Sequence, residues 1–103
     1  MEQVKKNTDW LYQKYLLDKS LGYNLGVYYY NLYNYLFALA KENGADWCYS
    51  PQIWDMVRGS ECTDHDGYNM VVKWKNTLAV KGYIANKQIG GEWRTYILKE
   101  LVD

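Results

Sequence analysis

Glycine, proline and short polar clusters cut the chain into runs whose apolar residues recur at distinct periods. From Asp9 to Lys19, Trp10, Leu11, Tyr12, Tyr15, Leu16 and Leu17 form a broad apolar stripe. That spacing predicts a helix which buries most of its circumference, against the rest of the fold or a second copy. Thr8 or Asp9 supplies the short side-chain oxygen that caps a first turn. Leu21 to Gly26 reads as a break. From Val27 to Glu42, Tyr29, Leu32, Tyr33, Leu36 and Ala40 return at three- and four-residue steps, the helical period. Asn43-Gly44 then provides the left-handed stop of a helix C-terminus.

Trp47-Cys48-Tyr49 is short, aromatic and strand-like. Ser50-Pro51 predicts a helix start, with Ser as cap and Pro in the first turn where no N–H is needed. The helix runs from Pro51 to Arg58, sets Ile53, Trp54 and Val57 on one side, and ends at Gly59. A polar loop follows, in which Asp64 or Asp66 caps a fourth helix reaching Lys81. At about 100° per residue, Val71, Trp74, Lys75 and Leu78 share the buried side of that helix. Asn69, Lys73, Asn76 and Val80 share the opposite side, and Gly82 terminates it. Residues 83–89 and 92–98 are both β-prone, and Gly90-Gly91 between them is a two-residue hairpin turn.

A chain of 103 residues is one domain with one modest core. An apolar fraction of 49% with 23% charged residues is globular in character. Twelve tyrosines and five tryptophans stand against a single phenylalanine. Tyr28, Tyr29, Tyr30, Tyr33 and Tyr35 surround one helix, more rings than so small a core accommodates. Interfaces are enriched in Tyr and Trp, so Trp10, Tyr12, Tyr15, Tyr28 and Tyr30 are expected to face a protein partner or a second copy, giving a homodimer. The longest apolar stretch, Tyr35 to Ala40, is too short for a membrane span. No apolar leader core follows Met1-Glu2-Gln3-Val4-Lys5-Lys6, and the expectation is a soluble, cytoplasmic protein.

Formal net charge is zero, but it divides unevenly. Residues 42–66 carry Glu42, Asp46, Asp55, Glu61, Asp64 and Asp66 against Arg58 alone. From Gly67 to Lys99 the balance reverses: Lys73, Lys75, Lys81, Lys87, Arg94 and Lys99 against Glu92. Such polarity usually faces a partner. The two cysteines, Cys48 and Cys62, are too few for a disulfide framework and read as small buried hydrophobes. Cys62, His65, Asp64 and Asp66 lack the paired spacing of a structural zinc site. Asp64-His65-Asp66-Gly67 lacks the terminal Glu of a calcium loop. There is no phosphate-binding glycine loop and no recognisable acid–base pair. No cofactor, metal or enzyme activity is expected.

The order of elements makes this an α+β chain, mostly helical. From Tyr30 onward it resembles the winged helix-turn-helix family. The residues carrying the resemblance are Leu32-Tyr33-Asn34-Tyr35-Leu36, Ser50-Pro51-Gln52-Ile53-Trp54, Leu78-Ala79-Val80-Lys81-Gly82-Tyr83-Ile84 and Glu92-Trp93-Arg94-Thr95-Tyr96-Ile97-Leu98. The chain is similar in flavour to small bacterial or phage winged-helix proteins, including replisome-organiser N-terminal domains. The resemblance implies a core over residues 27–103 with a C-terminal two-stranded wing, and an extra N-terminal helix in residues 1–26. It implies a fourth helix in the major groove of double-stranded DNA and a wing on the backbone, in a transcription or replication regulator. Asn69, Lys73 and Asn76 then meet base edges, while Lys87, Arg94 and Tyr68 suit phosphates. Glu61, Asp64 and Asp66 depart from the family pattern, because carboxylates before that helix repel phosphates. The alternative they raise is a winged-helix module of a mobile element or phage that binds and inhibits or adapts another protein.

Overall fold

The computed structural model describes residues 1–103. Its first helix, α1, spans Trp10–Ser20 and is capped by Asp9, whose carboxylate accepts from the Tyr12 N–H at 3.1 Å. Gly22, at φ 75°, turns the chain out of the helix. The second helix, α2, spans Leu25–Glu42, so it starts two residues earlier than the periodicity predicts. Gly26 is therefore helical rather than part of the break. It is buried where α1 crosses: a Cβ there would meet the Lys14 carbonyl oxygen at 2.7 Å. Asp18, itself buried, accepts from the Gly26 N–H at 2.7 Å and pairs with Lys14 at 3.3 Å. These contacts make α1 part of the domain rather than an appended arm, and Leu11 sits fully inside the core.

The next strand, Trp47–Tyr49, is followed by α3 (Ile53–Gly59) and α4 (Gly67–Val80). Two longer strands follow, Ile84–Ile89 and Glu92–Ile97. Gly90 and Gly91 join them at φ 58° and 84°, the left-handed geometry that a two-residue hairpin turn requires. Two further strands lie near the ends of the chain, Glu2–Lys5 and Lys99–Val102. In chain order the five strands are β1 (Glu2–Lys5), β2 (Trp47–Tyr49), β3 (Ile84–Ile89), β4 (Glu92–Ile97) and β5 (Lys99–Val102). The sheet β2-β4-β3 is antiparallel throughout, and β1 pairs in parallel with β5. The β1–β5 ribbon has no counterpart in the sequence reading.

One face of the three-stranded sheet carries Cys48, Ile84, Thr95 and Ile97, all buried. They meet Leu32, Leu36, Val71, Trp74 and Leu78 from α2 and α4 in a single core. Register puts Trp47, Tyr49, Arg94, Tyr96, Ala85 and Lys87 on the other, outer face.

Ser50 does not cap α3. Its N–H donates to the Trp93 carbonyl and its hydroxyl lies 2.8 Å from that of Thr95, so it extends β2. Gln52 takes the cap position without a side-chain bond. Asp66 does precede α4, but its carboxylate accepts from the Asn69 side chain instead of a backbone N–H.

The tyrosines of α2 find partners inside the molecule. Tyr28 is 9% exposed and stacks on Trp74 at 5.3 Å, so it is core and not interface. Tyr29 lies against Trp10 and Trp74. Tyr30 stacks on Tyr15 at 4.4 Å and meets Tyr12 edge-on. Tyr33 is buried, and Tyr35 covers Gly59. The excess that points outward in the sequence is largely an aromatic seam between α1, α2 and α4. No helix is long and apolar enough to cross a membrane.

Candidate functional site

Helix α4 is the element on which the sequence places most of the chemistry. Its buried edge is Val71, Trp74 and Leu78, against Ile84 and α2. Lys75 is half-buried beside Cys48. Burial lowers the Lys75 pKa below the usual lysine range and raises that of the Cys48 thiol. The opposite edge is exposed along its length: Tyr68, Asn69, Val72, Lys73, Asn76 and Val80. Val80 is 86% exposed, the most open large hydrophobic in the molecule. Lys73 and Asn76 make no side-chain hydrogen bond or ion pair within the protein. Asn69 is already engaged, since its amide donates to Asp66 Oδ1 at 2.9 Å.

The acidic turn before α4 is built from the residues that the charge pattern singles out. Asp64 Oδ1 accepts from the Asp66 N–H at 2.9 Å, and fully exposed His65 sits 3.6 Å from the same carboxylate. Glu61 adopts φ 59°, the left-handed conformation that non-glycine residues rarely take. Its neighbour Ser60 is fully buried, with its carbonyl accepting from Asn31 of α2. Trp54 of α3 is 57% exposed and lies 5.1 Å from Tyr68 at the start of α4. Asp55 pairs with Arg58 on the same helix. An exposed aromatic pair thus sits next to a cluster of carboxylates. The sequence sets Trp54 on one side of the helix with Ile53 and Val57; of the three, Val57 is buried and Trp54 is exposed.

Lys87 and Arg94 do not join the α4 group. They are cross-strand partners on the outer face of the sheet. The Arg94 guanidinium carbon lies 4.0 Å from the Trp47 ring centroid, and Lys87 Nζ lies 5.1 Å from that of Tyr96. Arg94 Nε is buried with no acceptor, and the nearest carboxylate, Glu92, is 4.0 Å from its guanidinium. Tyr49, beside Arg94 on the same face, is 56% exposed. Sequence reasoning finds the two cations here. It misses the rings beneath them, because which ring lies under which cation is set by the register between strands and not by spacing along the chain.

Among the residues expected at an interface, Tyr12, Tyr15 and Tyr30 form a half-buried cluster. Trp10 packs on Tyr29 and Tyr83 and carries Lys81 over its ring at 4.6 Å. The more exposed apolar residues of the N-terminal region are Leu17, Leu21 and Tyr23. No group of three or more His, Cys, Asp or Glu side chains is arranged to hold a metal ion. Comparison with protein-family models, with curated proteins and with solved structures returns no match.

Proposed function

We propose that this is a winged-helix protein that binds double-stranded DNA, as a transcription or replication regulator, with α4 in the major groove. The observation that carries the reading is the order α2, β2, α3, α4, β3, β4 with the sheet arranged β2-β4-β3. It is the order of helices, sheet and wing that the winged-helix resemblance implies. It leaves α4 with one free edge on which Lys73 and Asn76 have no internal partner. Lys can donate to guanine acceptors and Asn can pair with adenine. Asn69 joins them only by giving up Asp66, and the hairpin turn at Gly90-Gly91 forms the tip of the wing. The test is the affinity of the protein for mixed-sequence and selected duplexes as a function of salt. Lys73→Ala with Asn76→Ala is expected to cost about 1–3 kcal/mol per lost base contact on a selected duplex. Absence of duplex binding at low salt, where phosphate contacts are strongest, overturns the reading.

A second reading has its own observation: the exposed Trp54–Tyr68 pair beside Asp55, Glu61, Asp64 and Asp66. Buried aromatic anchors dominate protein interfaces, and these carboxylates match a basic protein surface. On that reading Trp54→Ala abolishes partner capture, whereas Lys73→Ala leaves it intact.

A further inference from the structure

Helices and core side chains cover one face of the β2-β4-β3 sheet, and the other face is open. On it, adjacent cross-strand rows present Trp47 beside Tyr96, then Tyr49 beside Arg94 and Lys87. Three aromatic rings on the solvent side of so small a sheet contribute little to the core. The two cations lie over two of those rings, at 4.0 Å for Arg94 on Trp47 and 5.1 Å for Lys87 on Tyr96. Tyr49 has no cation over it and is more than half exposed. It meets Trp47 edge-on at 5.1 Å, which leaves ring surface for another planar group.

We infer that this outer sheet face is a stacking platform for a single strand of nucleic acid, separate from the α4 edge. Unpaired bases have free π-faces, which stack on aromatic rings and on arginine guanidinium planes. Tyr49 offers the first kind of surface and the Trp47–Arg94 stack the second. Bases inside a duplex are closed to such contact, so the platform selects an unpaired strand. The phosphates between stacked bases meet Lys87 and Arg94. Arg94 has spare donor capacity at its terminal guanidinium nitrogens, because Glu92, the one carboxylate near it, stands 4.0 Å away. Among the strand residues of this face Glu92, at the turn end, is the only carboxylate, and the two cations outnumber it.

The inference does not depend on α4, and the experiment keeps the two surfaces apart. Fluorescence anisotropy is measured with a labelled thymidine oligonucleotide, an abasic strand of equal length, the matching ribo-oligonucleotide and a duplex. The thymidine strand is expected to bind more tightly than the abasic strand, with the ribo-oligonucleotide bound comparably, because its bases offer the same π-faces. Tyr49→Ala, at an exposed position, is expected to weaken single-strand binding by about fivefold or more and leave duplex binding unchanged. Arg94→Lys keeps the charge but removes the plane, and is expected to weaken the single strand while the salt slope stays the same. Lys73→Ala with Asn76→Ala is expected to leave single-strand binding intact. Equal binding of the abasic strand overturns the proposal. So does unchanged affinity in a Tyr49→Ala protein with native circular dichroism.

Discussion

Tyr83 shows how much one side chain can hold. Its hydroxyl donates to Asp9 Oδ1 at 2.7 Å and accepts from the Leu11 N–H at 3.0 Å. Asp9 in turn caps α1, so a residue at the entrance to β3 fixes the start of a helix far away in sequence. Tyr83→Phe leaves a buried carboxylate short of a donor and is expected to cost about 1–3 kcal/mol in chemical denaturation. Burial raises the pKa of Tyr83 and Tyr33 above the usual tyrosine range, and burial likewise raises that of Tyr35 and the Cys48 thiol. In each case the folded state keeps its proton to higher pH than the unfolded chain does. The stability they confer is therefore complete below the unfolded pKa values, about 8.5 for Cys and 10 for Tyr. It is lost as pH rises through and beyond them. Lys75 has the opposite sign, because burial lowers its pKa and its cost is relieved as pH rises. The raised groups outnumber Lys75 and predict a melting temperature that falls in the alkaline range, with a shallower fall in Tyr83→Phe. A pH series of thermal melts checks both. None of this network is visible in the chain: Asp9 reads as a cap from its type and place, but nothing local ties it to residue 83.

Helices and the hairpin are legible from the sequence because their signals are local, whether period, cap or turn. The starts of α2 and α3 are misread where tertiary contacts override those signals. Ser50 is drawn into the β2 ladder by Trp93 and Thr95, so the helix cannot use it. Gly26 looks like a breaker but is the small residue that lets α1 and α2 cross closely. Gly59 is likewise more than a stop signal. It is the last residue of α3, and a Cβ there would sit 2.3 Å from the Tyr35 ring. Gly59→Ala is expected to destabilise by about 1–3 kcal/mol, the usual cost of overpacking, with a lowered denaturation midpoint as the readout. The displaced Tyr35 ring belongs to α2, so the damage reaches the α2–α3 packing. Of the candidate site, the free edge of α4 follows from helical geometry and is legible. The pairing of Lys87 and Arg94 with rings on the outer sheet face is not, since it depends on strand register.

At the scale of the molecule, the zero net charge is a division between an acidic turn before α4 and cations on α4 and the sheet. The aromatic excess divides too, into an internal seam and a few open rings. The proposed homodimer, expected through Trp10, Tyr12 and Tyr15 as well as Tyr28 and Tyr30, narrows to the outer stripe of the N-terminal helix, where Leu17 and Leu21 are exposed along with Trp10. Sedimentation at micromolar concentration is expected to show a species of twice 12.2 kDa, reduced to the single mass by Leu17→Lys with Leu21→Lys. A single 12.2 kDa species in the unaltered protein removes the dimer. The β1–β5 ribbon adds a different property. It is parallel, with Glu2 beside Lys99 and Lys5 beside Val102. Tension applied through the two flanks therefore pulls β1 and β5 past one another along their length. The four pairs are loaded together in shear instead of parting one at a time, so the ribbon acts as a mechanical clamp that must rupture before the helices feel the force.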